Sequence, residues 1–401
     1  MRRFIYKATD PETGKAVKGV IQADTERAAG KLLIQQGLSP DTIEAEDMTG
    51  FVAKMKNKVT NKDKITFTRQ FATLIGAGLP LSNALRTVND QTTAKGMKMV
   101  IEEVLADVEA GKALVDACAK HETVFDRVYL ALVQAGEMSG TLDLSLRRLA
   151  DQQEKDSAVM AKIRGAMTSP LITLAVIIGV MVFLLIEVVP QVEDLYGSLG
   201  KELPGLTSIM VAATNFLMHQ WYVILVMLVL IVWFMIWFLR TNVGIRWAAV
   251  VKLNIPMFKG MFLRLYNGRF ARTMQNLMST GVALLEAMQI SAESMNNVVL
   301  QEQIEEAEKK VRAGKPLSEA LNDADYMLPL VPQMAAIGEE SGKMDEMLGK
   351  AANVYESELD EQVAKLSEMI QPVMMLAMGG MAGVIVAGIL FPIYSLVGSI
   401  G

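Results

Sequence analysis

The sequence predicts an all-α membrane protein: two tandem helical bundles and three transmembrane helices, preceded by a small α/β module. Two observations carry most of that prediction. The chain repeats itself, and each copy runs from a polar helical region straight into a membrane-length apolar run. Composition is the third. Of 401 residues, 51% are hydrophobic and the mean hydropathy is +0.29, more apolar than a soluble core needs, while 21% are charged, too many for a wholly embedded chain.

Residues 1–46 form the module. FIYKATD and KAVKGVIQA alternate as strands around a turn from Pro11 to Gly14, and Asp24 or Thr25 caps a helix ending at Gly37. A solvated basic linker follows over 47–62, with Lys54, Lys56, Lys58 and Lys62. The first bundle spans 63–168. Phe67, Phe71, Leu74 and Ile75 share one helix face, Gly78 stops that helix, Pro80 opens the next and Gly111 ends a third.

The repeat defines the second bundle, 240–371. Phe67, Arg69, Leu74 and Gly78 recur as Phe270, Arg272, Leu277 and Gly281, an offset of 203 (270 minus 67). GKALVDA at Gly111 recurs as GKPLSEA at Gly314, and AGEMSGTLD as IGEESGKMD, where the offset has become 202 (339 minus 137). The register persists into the apolar runs, since Pro170 and Pro190 correspond to Pro372 and Pro392.

Three apolar stretches are read as spans: 169–190, 221–239 and 372–397, with 191–220 as an outer loop. Each supplies the roughly 20 residues a bilayer core requires. Lys155, Lys162 and Arg164 precede the first span and Arg240, Arg246, Lys252 and Lys259 follow the second, whereas the outer loop carries only Lys201 against Glu193, Asp194 and Glu202. The positive-inside bias puts both bundles and the amino terminus in the cytoplasm, with the carboxyl terminus outside. Two bundles on one side, each with an outgoing span, need one return crossing, which is the Trp221 helix. The copies are then parallel repeats about an axis along the membrane normal. No apolar region follows Arg2 and Arg3, so no cleaved signal peptide is expected.

Within the third span Gly379, Gly383 and Ala387 fall four apart on one face, a spacing that lets helix backbones approach closely. Glu187 is the one carboxylate at membrane depth. Three residues from Pro190, it reads as a solvated acid at the outer boundary.

The duplicated GEMSG (136–140) and GEESG (338–342) turns are the candidate functional motif. Ser139 or Ser341 is expected to cap the following helix, with Asp143 or Asp345 in its first turn. That accounts for the Ser and Gly but not for Glu137 and Glu339. Acids repeated at one place on two bundles can dock a basic partner or share a divalent cation with carbonyls.

Catalytic signatures are missing. Gly-Lys occurs seven times and is never followed by Ser or Thr, so there is no P-loop. His121 and His219 are the only histidines, and the single cysteine, Cys118, sits on an apolar helical pattern as a small buried hydrophobe. With no Asp or His in the spans, an intramembrane protease has no side chains to use. A net charge of −5 without a dense basic, aromatic-interleaved face sets nucleic acid aside. The chain reads as a non-enzyme without a cofactor. Parallel repeats and Glu187 also admit a transporter component, but its spans would be polar or broken at mid-membrane, and these are neither.

FIYKATDPETGKAVKGVIQADTERAAGKLLIQQGLSP, FTRQFATLIGAGLPLSNAL, the duplicated GExSG turns, LPGLT at Leu203 and FPIYSLVG near the end together resemble the PilC/GspF family, in the family's order and over essentially the whole chain. These are the inner-membrane platform proteins of type IV pilus assembly and type II secretion. The resemblance implies a non-catalytic core bound on its cytoplasmic side by a hexameric ATPase. It also implies contact with accessory inner-membrane proteins and with pilin or pseudopilin, and association into homo-oligomers, with the Gly379 face as one contact.

Overall fold

The computed structural model describes residues 2–9, 16–23, 30, 39–45, 58–198, 204–390 and 394. Strands β1 (Arg2–Thr9) and β2 (Ala16–Ala23) pair antiparallel, Arg2 opposite Ala23 and Thr9 opposite Ala16; the turn expected from Pro11 to Gly14 lies outside the described residues. A third strand, β3 (Ser39–Ala45), pairs on the other side of β1 in the order β2-β1-β3. It was not expected, since Pro40 breaks an already short alternation; at a sheet edge its missing N–H costs no ladder bond. Apart from Gly30, the helix expected up to Gly37 lies outside the described residues, as does most of the basic linker.

The first bundle comprises α1 (Asn61–Gly76), α2 (Leu81–Gln91), α3 (Lys95–Glu109), α4 (Leu114–Ala119), α5 (Arg127–Ser139) and the start of α6 (Leu142–Glu187). Thr60 and Asp63 form a reciprocal capping box at the start of α1. Phe67, Phe71, Phe125 and Tyr129 stack through its core, with Phe125 and Tyr129 ring centroids 4.6 Å apart.

α6 does not stop at the membrane. It continues through Pro170 as one 46-residue helix, so that bundle and first span are a single rod. Proline leaves the Ala166 carbonyl without its helical donor, and Thr168 and Thr173 hydroxyls back-bond to Arg164 and Ser169 carbonyls on either side. The run 191–220, expected as a loop, is instead a helical hairpin: α7 (Val189–Ser198) and α8 (Gly205–His219). Val189, Val192, Tyr196, Met210 and Val211 form a small core of their own against Leu185 and Ile385. An apolar helix period was present there, but two helices this short are legible only once they have something to pack on.

α9 (Trp221–Leu239) is the return crossing, at the bounds expected, and buries none of its residues. A two-residue turn leads into α10 (Asn242–Asn254), after which the second bundle follows: α11 (Pro256–Ser279), α12 (Leu284–Ser294), α13 (Val298–Arg312), α14 (Leu317–Asn322), α15 (Leu330–Ser341) and α16 (Met344–Ile385). α16 repeats α6, a 42-residue rod with Pro372 inside it, and passes into a π-helical turn, Val386–Leu390. α6, α9 and α16 are the helices long and apolar enough to cross a bilayer among the described residues, and the chain is a multi-pass membrane protein.

The two bundles share one continuous apolar core, in which Leu132, Leu146, Phe270 and Leu348 are all fully buried. They therefore lie on the same side of the membrane. Where α6 and α16 leave the bundles, Val159, Ile163 and Ala166 pack with Met261, Leu359, Val363 and Leu366, tying the rods together just before they enter the bilayer.

Candidate functional site

The GExSG corner is a helix–helix joint built twice. α5 and α15 end in left-handed glycines, Gly140 at φ 71° and Gly342 at φ 67°, where any other residue is strained. One turn earlier a second glycine admits the next helix. A Cβ on Gly136 would stand 2.6 Å from Ser145 Oγ and 3.0 Å from Leu142 Cα, and one on Gly338 would stand 2.8 Å from Met344 Cα.

Ser139 and Ser341 do not cap the following helices. Each ends the preceding helix and donates its hydroxyl back one turn, to the Ala135 and Ile337 carbonyls at 2.6 Å. The capping position falls on Thr141 and Lys343, neither with a side-chain cap, because the left-handed glycine comes between serine and helix.

Glu137 and Glu339 have a local structural task. The Glu137 carboxylate accepts the backbone N–H groups of Leu114 (2.8 Å) and Val115 (3.2 Å) at the start of α4. Glu339 does the same for Leu317 (2.5 Å) and Ser318 (3.3 Å) at the start of α14, and takes the Ser318 hydroxyl as well. Each acid supplies the cap that a six-residue helix lacks in its own sequence, since Ala113 and Pro316 hold the N-cap positions without a side-chain oxygen to offer. Asp143 and Asp345 lie in the first turns of α6 and α16 as expected, where they complement the helix dipole. Asp143 is exposed and Asp345 half-buried. Among the described residues no three His, Cys, Asp or Glu side chains gather into a group able to hold a metal ion.

A second duplicated device clamps the first helix of each bundle to its long rod. Arg69 reaches Glu154 through Nε and Nη2, both at 2.6 Å, and Asp151 at 2.5 Å. Arg272 reaches Glu356 at 2.7 and 2.9 Å, and Asn353 at 2.5 Å. The hydrogen bond from Arg69 holds the Glu154 carboxyl below the usual carboxylate range. At Glu356 burial pushes the carboxyl up, but Arg272 and Lys155 together outweigh it and hold it below.

Between the bundles runs a polar seam that sequence reasoning missed. Gln152 on α6 accepts from Asn276 Nδ2 at 2.7 Å and donates to Thr273 Oγ1 at 3.1 Å, both on α11. Arg148 meets Ser279, Arg127 meets Glu293, Lys155 meets Glu356 at 3.1 Å and Lys162 meets Asp360 at 2.7 Å. Asp156 faces Arg269 at 3.4 Å; desolvation raises its carboxyl, and Arg269 only partly offsets this against the nearby Glu356. The available signal was the polar side chains of α11, Thr273 and Asn276, on a helix face that is otherwise apolar and buried.

Cys118 is buried and its thiol is pushed up to about 12, first by burial and then by the charge of Glu137, so it is no nucleophile. Gly379 and Gly383 have open space where a Cβ would be and Ala387 is exposed, so the small-residue face of the third span packs on nothing among the described residues. Gly388, one residue on, is the close contact: its Cβ would stand 2.0 Å from Met210 Sδ of α8.

Two tethered bundles whose conspicuous acids cap, clamp and join helices define a class, a helical membrane scaffold. Comparison with known proteins supplies the family. The model of the type II secretion system protein F domain matches twice, over residues 67–190 and 270–392, and that of its N-terminal domain matches residues 1–44. The chain belongs to this family. The type IV pilus assembly protein PilC of Thermus thermophilus is 38% identical over 403 residues, covering 99% of this chain and 98% of that protein. PilC of Myxococcus xanthus is 33% identical (99% and 96%), and the type II secretion system protein F of Vibrio cholerae is 31% identical (99% and 98%). Membership makes the chain a non-catalytic platform protein of a pilus or secretion system.

Proposed function

We propose that the chain is the inner-membrane platform of a type IV pilus machine, coupling a cytoplasmic hexameric assembly ATPase to the polymerisation of pilin. The observation that carries this reading is mechanical. Both rods run unbroken from bundle into bilayer, and the shared core joins the two bundles, so torque or displacement applied to them is transmitted directly to the spans. Identity of 38% to one pilus assembly protein, against 31% and 32% to secretion proteins, supports the pilus over the equivalent platform for pseudopilin. The basic residues before the first span and after the second support a cytoplasmic position for the bundles. The open Gly379 and Gly383 face supports a helix–helix contact with a second copy or with an accessory inner-membrane protein.

In this reading the corners face the ATPase. Glu137 and Glu339 shape the joint and Asp143 and Asp345 present charge beside it. The test is co-purification of the full-length chain with the ATPase from membranes. Asp143→Lys with Asp345→Lys should reduce ATPase retention while leaving the amount of membrane protein unchanged, and full retention would overturn the docking role. Deleting the chain should abolish surface pili; loss of exported hydrolases with pili intact would assign it to secretion instead.

A further inference from the structure

α10 departs from the rest of the second bundle. Its Gly244, Ala249 and Leu253 are buried, but Val243, Trp247 and Val250, spaced i, i+4 and i+7 on one helix face, are 72%, 57% and 39% exposed. No helix among the described residues covers that face.

Its orientation is set by the span before it. Only Arg240 and Thr241 separate α10 from α9, and Thr241 caps α10 by accepting Gly244 N–H at 3.1 Å. Gly244 is pressed against the end of α9 so closely that a Cβ would stand 1.9 Å from the Phe238 carbonyl oxygen. The Trp247 ring then folds back edge-on to Phe238, centroids 6.1 Å apart. An exposed Trp held against the last turn of a membrane-crossing helix sits at headgroup depth, where indole is favoured.

Cations occupy the same level. The side chains of Arg240, at the end of α9, and of Lys259, in the first turn of α11, are exposed and have no ion-pair or hydrogen-bond partner among the described residues; Lys252 is exposed too, but on the face of α10 opposite Val243. Arg246, in contrast, is held by Glu302 at 3.1 Å. The start of α11 is at this depth too, because Met261 packs against Val363 and Leu366, which lie shortly before the third span.

We propose that α10 is an interfacial helix seated in the headgroup layer of the leaflet that faces the bundles, and that this surface binds anionic phospholipid. Val243, Trp247 and Val250 enter the boundary between headgroups and acyl chains while Arg240 and Lys259 meet the phosphates. The helix would thereby fix the height and tilt of the second bundle over the bilayer, for which the first bundle has no described counterpart.

The full-length chain reconstituted in lipid nanodiscs tests this in two ways. Nitroxide labels on Val243→Cys and Val250→Cys should be more accessible to oxygen than to a water-soluble nickel chelate, whereas a label on Met138→Cys, 81% exposed on the first bundle, should show the reverse. In nanodiscs of mixed phosphatidylglycerol and phosphatidylcholine, the chain extracted with its bound lipid should retain the anionic one preferentially. The double variant Arg240→Gln, Lys259→Gln should lose at least about tenfold of that preference. Water-like accessibility at residues 243 and 250, or an unchanged lipid ratio in the double variant, overturns the proposal. So does cross-linking of Val243→Cys between two copies, which would make a second chain the occupant.

Discussion

In the first repeat Arg69 grips Asp151 and Glu154; in the second, Arg272 grips Asn353 and Glu356. Glu137 caps α4 as Glu339 caps α14, and Gly140 turns the chain as Gly342 does. The two copies agree in what holds each bundle together. They differ in what each presents to the other: Lys155, Lys162 and Arg127 come from the first repeat, and Glu356, Asp360 and Glu293 from the second. Duplication has kept the internal joints and the outgoing rods, while the mating surfaces have diverged into complementary charge. A repeat protein whose halves meet only each other needs identical cores but not identical faces.

That division predicts graded effects. The largest should come from the joint glycines. Gly136→Ala and Gly338→Ala each push a Cβ into backbone of the next helix and should cost about 1–3 kcal/mol. Both should lower the thermal unfolding midpoint in detergent to a similar degree; a large effect in one repeat alone would break the equivalence of the two skeletons.

Removing the remote caps comes next. Glu137→Ala and Glu339→Ala should each cost about 0.5–2 kcal/mol, and Gln, which keeps one acceptor, should recover part of it. Equal loss with Gln and Ala would remove the capping account.

Single seam pairs should matter less. Lys162→Ala or Arg127→Ala should lower stability by at most about 1 kcal/mol, since both partners are partly exposed. Lys155→Glu, which sets a second acid against Glu356, should exceed either.

The smallest effect concerns pH. Glu154 and Glu356 are held below their ordinary values, so their contribution is present above the unfolded carboxylate value of about 4.3 and is lost as pH falls through the folded values. Asp156 is held above its ordinary value, so its charged form opposes folding at neutral pH, and that penalty is relieved on acidification before the clamps fail. Asp156→Asn should therefore flatten any rise in unfolding midpoint between neutral pH and about 4. A rise unchanged in the variant would assign it to another group.

The rods, the return crossing and the duplicated bundles were legible because each rests on one strong local signal: unbroken apolar length, or a motif repeated at constant offset. Proline at Pro170 and Pro372 did not disguise the helices, because their flanks are helical and apolar on both sides. The role of Glu137 was not legible. It caps a helix that begins more than 20 residues earlier in the chain, and no local pattern records that its carboxylate returns to Leu114. Nor was the outer hairpin, whose Thr207 hydroxyl bonds to the Gly388 carbonyl at 3.1 Å and whose Thr214 bonds to Leu185 at 2.9 Å, contacts between elements distant in sequence. The seam was hidden for the opposite reason. Apart from Glu356, which answers to Glu154, its residues differ between the repeats, and a repeated motif records only what both copies share.

The central claim is that the two bundles are one body on one side of the membrane. Arg127→Cys with Glu293→Cys, in a chain whose native Cys118 is buried, tests it in intact cells with a short bismaleimide. The shared core predicts an intramolecular cross-link joining the repeats, and the same response of both positions to a membrane-impermeant maleimide. Two unlinked thiols, one of them labelled from outside intact cells, would contradict it.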